Sequence, residues 1–457
     1  MESVAIRRHR GRRRPSVPHG WVGTVGIIST VLLVACSGPR DGAVDDEATF
    51  RAPPPGPPIT ERPLLAASTA ARQALEVGDW ASARQHLEAA LAHAPGLPQT
   101  RFRLAEVILR QGDPGPAMEH LQALVAMGAK VDLAASDVFA PFLDIPELAV
   151  LARALHPSTR PASEATLLAT LPRDQWTEGI AIDPTTGMVY AGSLERHHIL
   201  KIAPDGTMSD FVRDDAARLP SLVGMAIDAE RRHLWVAAGA GSDQPVAASP
   251  RSNGLFQYGL DSGERIAEHL PDDDVDRQRL LNDLVVAPDG AVYVTESFES
   301  ALWRLTPGGR LHRWKVFPEM AYLNGVAIAD DGSMLWAVAV EGLVWVDPAT
   351  GDSGRVVGDA AFFAGMGDGM ATFGEGLVLV QNEDFLGQRI ASFTLDGTGQ
   401  RITSAEVLPF DWPPGLLPYT LAVDEVQVVV VAAADLRLRG TPDAASVPPP
   451  VLLRWMH

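Results

Sequence analysis

One cysteine, Cys36, is all that 457 residues contain, so no internal disulfide can brace this chain. Positive charge is also scarce. Lys and Arg number 38 against 57 Asp and Glu, for a net charge of −19, and such a surface repels nucleic acid. The apolar run at residues 21–35 is uncharged but too short for a comfortable membrane span. No glycine-rich phosphate loop and no Gly-x-Ser-x-Gly elbow occurs. His197, His198, His233 and His312 lack partners at metal-binding or triad spacing, which makes them satisfied or exposed histidines.

What is present is repetition. Residues 281–297 alternate apolar and small side chains, turn at Pro288-Asp289-Gly290, and alternate again, the pattern of a hairpin. The same unit begins at Glu178, Val223, Asn324, Asp368 and Tyr419, which makes six copies. Spacings of roughly 40–60 residues and short extra strands between copies give four-stranded propeller blades. A lone hairpin cannot bury its apolar face, so neighbours must stack around an axis. The expected fold is mainly β, a six-bladed β-propeller over residues 165–457. A strand from residue 165 to 170 lacks a blade, and one from 451 to 456 lacks an outer neighbour. Pairing them would close the ring.

Ahead of the propeller the period becomes helical. Ala71, Gly78, Ala83 and Leu87 return 34 residues on as Ala105, Gly112, Ala117 and Leu121, which resembles tetratricopeptide repeats. Helices are predicted at about 64–77, 80–93, 97–111 and 114–127, in a small all-α domain spanning residues 63–155. Two repeats are few, so residues 133–155 should cap them or the propeller should bury their open end. Either a groove for a protein partner or a spacer packed on the propeller fits the pattern. Residues 156–164 read as a linker.

The amino terminus has its own logic. Six arginines between Arg7 and Arg14 precede the apolar run, which ends in Leu33-Val34-Ala35-Cys36. This resembles a bacterial lipoprotein signal, residues 1–35, with lipidation at Cys36. It implies a protein of the bacterial cell envelope, held to the outer membrane or the periplasmic face of a membrane. Residues 36–62 then read as an acidic, proline-rich, disordered tether.

Aligned by the strand that opens each blade, the six copies place Glu178, Val223, Asn282, Asn324, Asp368 and Tyr419 at one register. The innermost strands of a propeller line its channel, so two carboxylates and two amides face one axis. Such oxygens suit a hard divalent cation. The competing reading is that Asn-Gly and Asp-Gly are ordinary turn dipeptides. Long segments at residues 239–253 and 271–279 open on the same face as these side chains and could form a lid.

These motifs, Asn282-Asp283, Asn324-Gly325, Glu178-Gly179 and Asp368-Gly369 with their strands, resemble the gluconolactonase, senescence marker protein and luciferin-regenerating enzyme family. The resemblance implies one divalent cation, often calcium, and hydrolysis of a lactone or related ester as small-molecule substrate. By motif, Glu178, Asn324 and Asp368 match metal ligands and Asn282 a substrate-touching channel asparagine. Asp368 or Asp283 would activate water as the catalytic base. Three departures stand out: Ile180 replaces a proline, Leu280 replaces an arginine, and Val223 and Tyr419 supply no obvious polar channel group. The rival reading is a non-catalytic envelope scaffold or ligand sensor with a structural cation.

Overall fold

The computed structural model describes residues 53–54, 56–157, 163–195, 198–212, 221–239, 253–272, 279–359, 361–438 and 441–457. Cys36 with the amino-terminal signal, and most of the two expected lid segments, lie outside the described residues.

Six four-stranded antiparallel sheets form the propeller. Their inner strands are Ile180–Ile182, Leu222–Asp228, Leu281–Val286, Val326–Ile328, Met370–Phe373 and Leu416–Val423. Each packs against the next, and the last against the first, so the ring is closed. The closing blade takes its outer strand, Thr166–Thr170, from the start of the propeller, paired antiparallel with Val451–Met456. This is the closure expected from the sequence. It leaves the ring without an open seam.

Burial explains the strand composition. Val292–Glu296 is buried at every position, as is Gln427–Ala434, because each blade is covered by neighbours on both faces. Outer strands face solvent instead: Met208–Asp210 is fully exposed, and Ile402–Val407 is exposed after its first residue.

The helices run Pro63–Val77, Trp80–His93, Pro98–Arg110 and Pro114–Ala126, within a residue or two of the predicted limits. Gly78 ends the first in the left-handed conformation, and Asp79 caps the second through Ser82 N–H at 3.1 Å. Both expected ways of covering the repeats occur. Leu133, Val138, Phe139 and the helix Pro146–Leu155 join their core from one end. The propeller covers the other: Phe363 and Leu386 pack with Leu64, Ala90, Leu97 and Met127.

The end of the expected tether is built into the fold. Ile59–Glu61 forms a 3-10 turn. Arg62 is wholly buried, and its guanidinium donates to Phe317 O at 2.7 Å and to Glu299 O. The proline-rich composition excludes longer helix but leaves an arginine free to dock, which composition alone does not reveal. Among the described residues no helix is long and apolar enough to cross a membrane.

Candidate functional site

The six register positions sit where each inner strand begins, and there the ladders are irregular. Pairing shifts between Leu222 and Met225, between Leu281 and Leu284, and between Pro418 and Thr420. In the other three blades regular pairing starts two residues after Glu178, Asn324 and Asp368. Such bulges re-aim side chains at a barrel rim.

The glycine that follows most register positions serves the ring, not a turn. A Cβ on Gly179 would lie 2.1 Å from Val223 O, and one on Gly325 would lie 2.2 Å from Asp368 O. Gly224 and Gly369 are crowded in the same way by the next blade. None of these four has positive φ, so the turn-dipeptide reading is corrected: they are glycine because adjacent blades touch there. Blade three departs from the rule. Asp283 takes the glycine place and directs a carboxylate across the seam, where Oδ2 accepts Val326 N–H at 3.3 Å. Its Oδ1 accepts Leu284 N–H at 2.9 Å.

Asp368 and Asn324 meet directly. Asn324 Nδ2 donates to Asp368 Oδ1 at 2.9 Å, and Asn382 Nδ2 donates to Oδ2 at 2.8 Å. Burial pushes the Asp368 carboxyl up to about 7, against the pull of Asn324 and with the Asp283 charge adding to the rise. Burial likewise raises Asp283 to about 7. Among the described residues, the hydrogen bonds drawn to these two carboxylates come from neutral amides.

Asn282 is held one step away. Its Nδ2 donates to Ser297 Oγ at 3.0 Å, and Ser297 donates on to Leu323 O at 2.6 Å. Thr295 donates to Asn324 O at 2.6 Å, so two hydroxyls of blade three brace the strand that carries Asn324. Glu178 is half-buried, and its charge is felt by both Tyr322 and Tyr419. Burial raises both phenols, with the Glu178 and Asp368 charges adding to it.

Tyr322 and Asn382 are the residues that the motif reading missed, and Tyr419, which it placed at the register but set aside as no polar channel group, brings a buried hydroxyl that accepts Leu436 N–H at 2.9 Å. Tyr322 has φ of 58°, and Met366 has φ of 52°, each two residues before a register residue. A bulky side chain in that region is strained, and strain of this kind gathers at functional sites. No sequence signal marks it. Asn382 was within reach of pattern reasoning, because the hairpin register pairs Met370 with Leu379 and so brings residues 381–382 opposite Asp368.

The helical domain abuts this same face, since loops before an inner strand and loops between second and third strands open where inner strands begin. Phe385 of one such loop packs against Phe102 of the repeats, with ring centroids 5.4 Å apart and the planes tilted by 55°. Lys130 N–H donates to Phe385 O at 2.7 Å. Arg389 donates to Met127 O at 2.6 Å and to Gln381 Oε1 at 2.9 Å. Gln381 in turn donates to Phe363 O and Gly365 O, at 3.0 and 2.9 Å. The repeats therefore grip the two loops that flank Asp368 and Asn382.

A cavity of about 440 Å³ lies further down the axis. It runs from Asp283 and Thr420 toward Pro288, Arg231 and Asp330, away from the Asn324–Asp368 pair. The candidate chemistry is placed by the carboxylates, not by this void. Among the described residues, no three His, Cys, Asp or Glu side chains gather at metal-binding spacing. A cation here would have to rest on amide oxygens as much as on carboxylates. The set of Glu178, Asn324 and Asp368 fits that demand. It is all oxygen, and among the described residues the hydrogen bonds to Asp368 come from the amides of Asn324 and Asn382.

Fold and site together define a six-bladed propeller carrying acidic and amide side chains at its axis, with a helical repeat domain seated on the same face. The tetratricopeptide repeat family matches residues 74–136. No curated protein matches the chain. Among solved structures it is similar to a gluconolactonase from Xanthomonas campestris, at 17% identity and a TM-score of 0.44, covering 65% of this chain and 99% of that one. It is similar to the calcium-binding protein regucalcin from Agrobacterium tumefaciens, at 14% identity and TM-score 0.46, covering 65% and 95%. A virginiamycin B lyase from Staphylococcus aureus stands at 15% identity and TM-score 0.41, covering 58% and 81%. At these identities the likeness is one of fold.

Proposed function

We propose that the propeller is a divalent-cation-dependent hydrolase of a lactone or related ester. The observation that carries this reading is the Asp368 carboxylate, gripped by Asn324 and Asn382 at the channel axis with the buried Asp283 charge beside it. Glu178, Asn324 and Asp368 would hold the cation, calcium in the simplest case, and when bound it would polarise the substrate carbonyl.

The chain's own residues divide the remaining work. Asn382 fixes the second Asp368 oxygen and so sets the plane of that carboxylate. Asp368 is thereby committed as a ligand, which leaves Asp283 as base. Two backbone N–H groups hold the Asp283 carboxylate, and its position near 7 suits proton transfer at neutral pH. Asp283 takes a proton from water as the oxygen bonds to the carbonyl carbon. The ester C–O bond then breaks, and the proton passes to the leaving alkoxide oxygen. Asn282, braced by Ser297, is placed to touch substrate.

Metal analysis of the purified chain, with a lactone and ester panel run with and without chelator, tests this. Turnover should vanish on chelation and fall by about 100-fold or more in Asp368→Ala. Turnover that survives both would refute the reading. Bound metal without turnover would make the cation structural and the propeller a ligand-binding scaffold.

The same proposal keeps the protein at a bacterial cell envelope through lipidation of Cys36. Cys36→Ala should release it from the membrane fraction, and mass spectrometry of the wild type should find acyl chains on that residue. A peptide partner of the repeats would have to compete with the chain's own Phe385.

A further inference from the structure

We propose that Arg62 is a positioning residue for the channel amides: from the segment ahead of the repeats, its guanidinium cross-ties the loop that holds Asn282 to the loop that delivers Asn324. This rests on the cation site proposed above. One terminal nitrogen donates to Phe317 O at 2.7 Å and the other to Glu299 O. The side chain is wholly buried. The planar fork of an arginine meets two carbonyls in fixed geometry, which a lysine ammonium on its flexible stem does not.

Each carbonyl belongs to a chain of contacts that ends at a channel side chain. Residues 296–300 close the second strand of blade three. There Glu296, wholly buried, accepts Leu280 N–H at 2.9 Å and Glu299 N–H at 2.7 Å. Ser297 accepts Asn282 Nδ2 at 3.0 Å. Residues 317–323 lead into Asn324. Phe317 N–H donates to Ser300 O at 2.9 Å, Tyr322 N–H to Ser300 Oγ at 2.9 Å, and Ser297 Oγ to Leu323 O at 2.6 Å. Ser297 and Ser300 thus join the two loops from within. Arg62 joins them from outside, as a residue foreign to both.

The amino-terminal segment is built to deliver that guanidinium. Ile59 is buried, and Arg313 Nη1 donates to Pro53 O at 3.3 Å while its Nε pairs with Glu299 Oε2 at 2.8 Å. Gly56 lies against the fork: a Cβ there would stand 2.6 Å from Arg62 Nη2 and 3.0 Å from Glu299 O. Taking a guanidinium out of water is costly. Burial accordingly pulls Arg62 below its ordinary value, while the charges of Glu341, Glu299 and Glu296 pull the other way. Glu341 also accepts Ala321 N–H at 2.8 Å, one residue before the strained Tyr322. An apolar residue such as Ile59 would anchor the segment without that cost, so the charge is there to orient the two loops.

The test compares the full chain with Arg62→Ala, Arg62→Lys and Gly56→Ala, the last of which keeps Arg62 and displaces its fork. Calcium affinity is read by calorimetry, and hydrogen exchange is followed after chelation. Arg62→Ala should lower calcium affinity by about 10-fold or more. It should also quicken exchange in residues 280–282 and 317–324, with the inner strands Ile180–Ile182 and Leu416–Val423 unchanged. Arg62→Lys and Gly56→Ala should fall between wild type and Arg62→Ala, and they carry the same comparison where Arg62→Ala does not fold. Unchanged exchange in the two stretches overturns the proposal, as does unchanged affinity in a chain that binds calcium. Lysine restoring wild-type affinity overturns it too, because charge alone would then suffice. Exchange that quickens evenly over all blades does the same, since Arg62 would then serve the fold at large. Quickening confined to the two stretches in a chain that takes up no calcium sustains the cross-tie and overturns the cation site instead.

Discussion

Glu341 shows what burial does to a single acidic side chain at this face. Oε2 accepts Ala321 N–H at 2.8 Å, and burial raises the carboxyl to about 7 despite the nearby Arg355 and Arg62 charges. The sign of the effect on stability follows. Between about pH 4.5 and 7 the folded chain keeps this proton while the unfolded chain has lost it, so stability falls as pH rises. Glu341→Gln should flatten that slope by up to about 3 kcal/mol, read from urea denaturation at pH 5 and pH 7. A slope unchanged by the substitution would place the proton elsewhere. Gly325 makes the steric counterpart. Its ring contact with Asp368 O leaves no room for a methyl group, so Gly325→Ala should cost about 1–3 kcal/mol and displace the Asn324–Asp368 pair. Loss of stability without loss of cation affinity would separate the ring contact from the site.

At the scale of elements, the loop of residues 382–388 ties the two domains together. Asn382 serves Asp368 from one end, Phe385 sits against Phe102 in the middle, and Arg389 reaches Met127 just beyond. Phe385→Ala removes apolar packing worth about 2–3 kcal/mol. Hydrogen exchange in residues 382–388 should accelerate, and cation affinity should fall although the substitution touches no ligand. If exchange quickens but affinity holds, the repeats support the fold without tuning the site. The repeats were legible from a 34-residue spacing of small residues and from Gly-Asp at the turn. That the chain's own loop would fill their apolar face was not, because Phe385 lies 283 residues from Phe102 and belongs to no repeat.

For the whole molecule, closure of the ring is the decisive contact. Thr166–Thr170 completes the last blade, so removing it should leave Val451–Met456 as an exposed edge. A chain lacking those five residues is expected to melt several degrees lower and to associate, as light scattering would show. A monomeric, equally stable product would mean that the inner-strand contacts alone hold the ring. The helical domain is the second global contact, and it is polar as well as apolar. Arg62 enters the propeller surface from one end of that domain, and Met127 O meets Arg389 from within it.

The amino-acid order by itself determined the periodic features. Six hairpin copies dictated six blades, the unpaired first and last strands dictated closure, and the 34-residue spacing dictated the helix pairs, because each rests on local alternation of apolar and polar positions. It also brought Asn324 and Asp368 to a common register, which folding turned into a direct hydrogen bond. Only the tertiary structure decided that the glycines beside them yield to neighbouring blades, that Asp283 crosses a seam, that Tyr322 is held in a strained conformation, and that the repeats close over the same face. Those outcomes depend on where one segment meets another distant in sequence, and no local period encodes such a meeting.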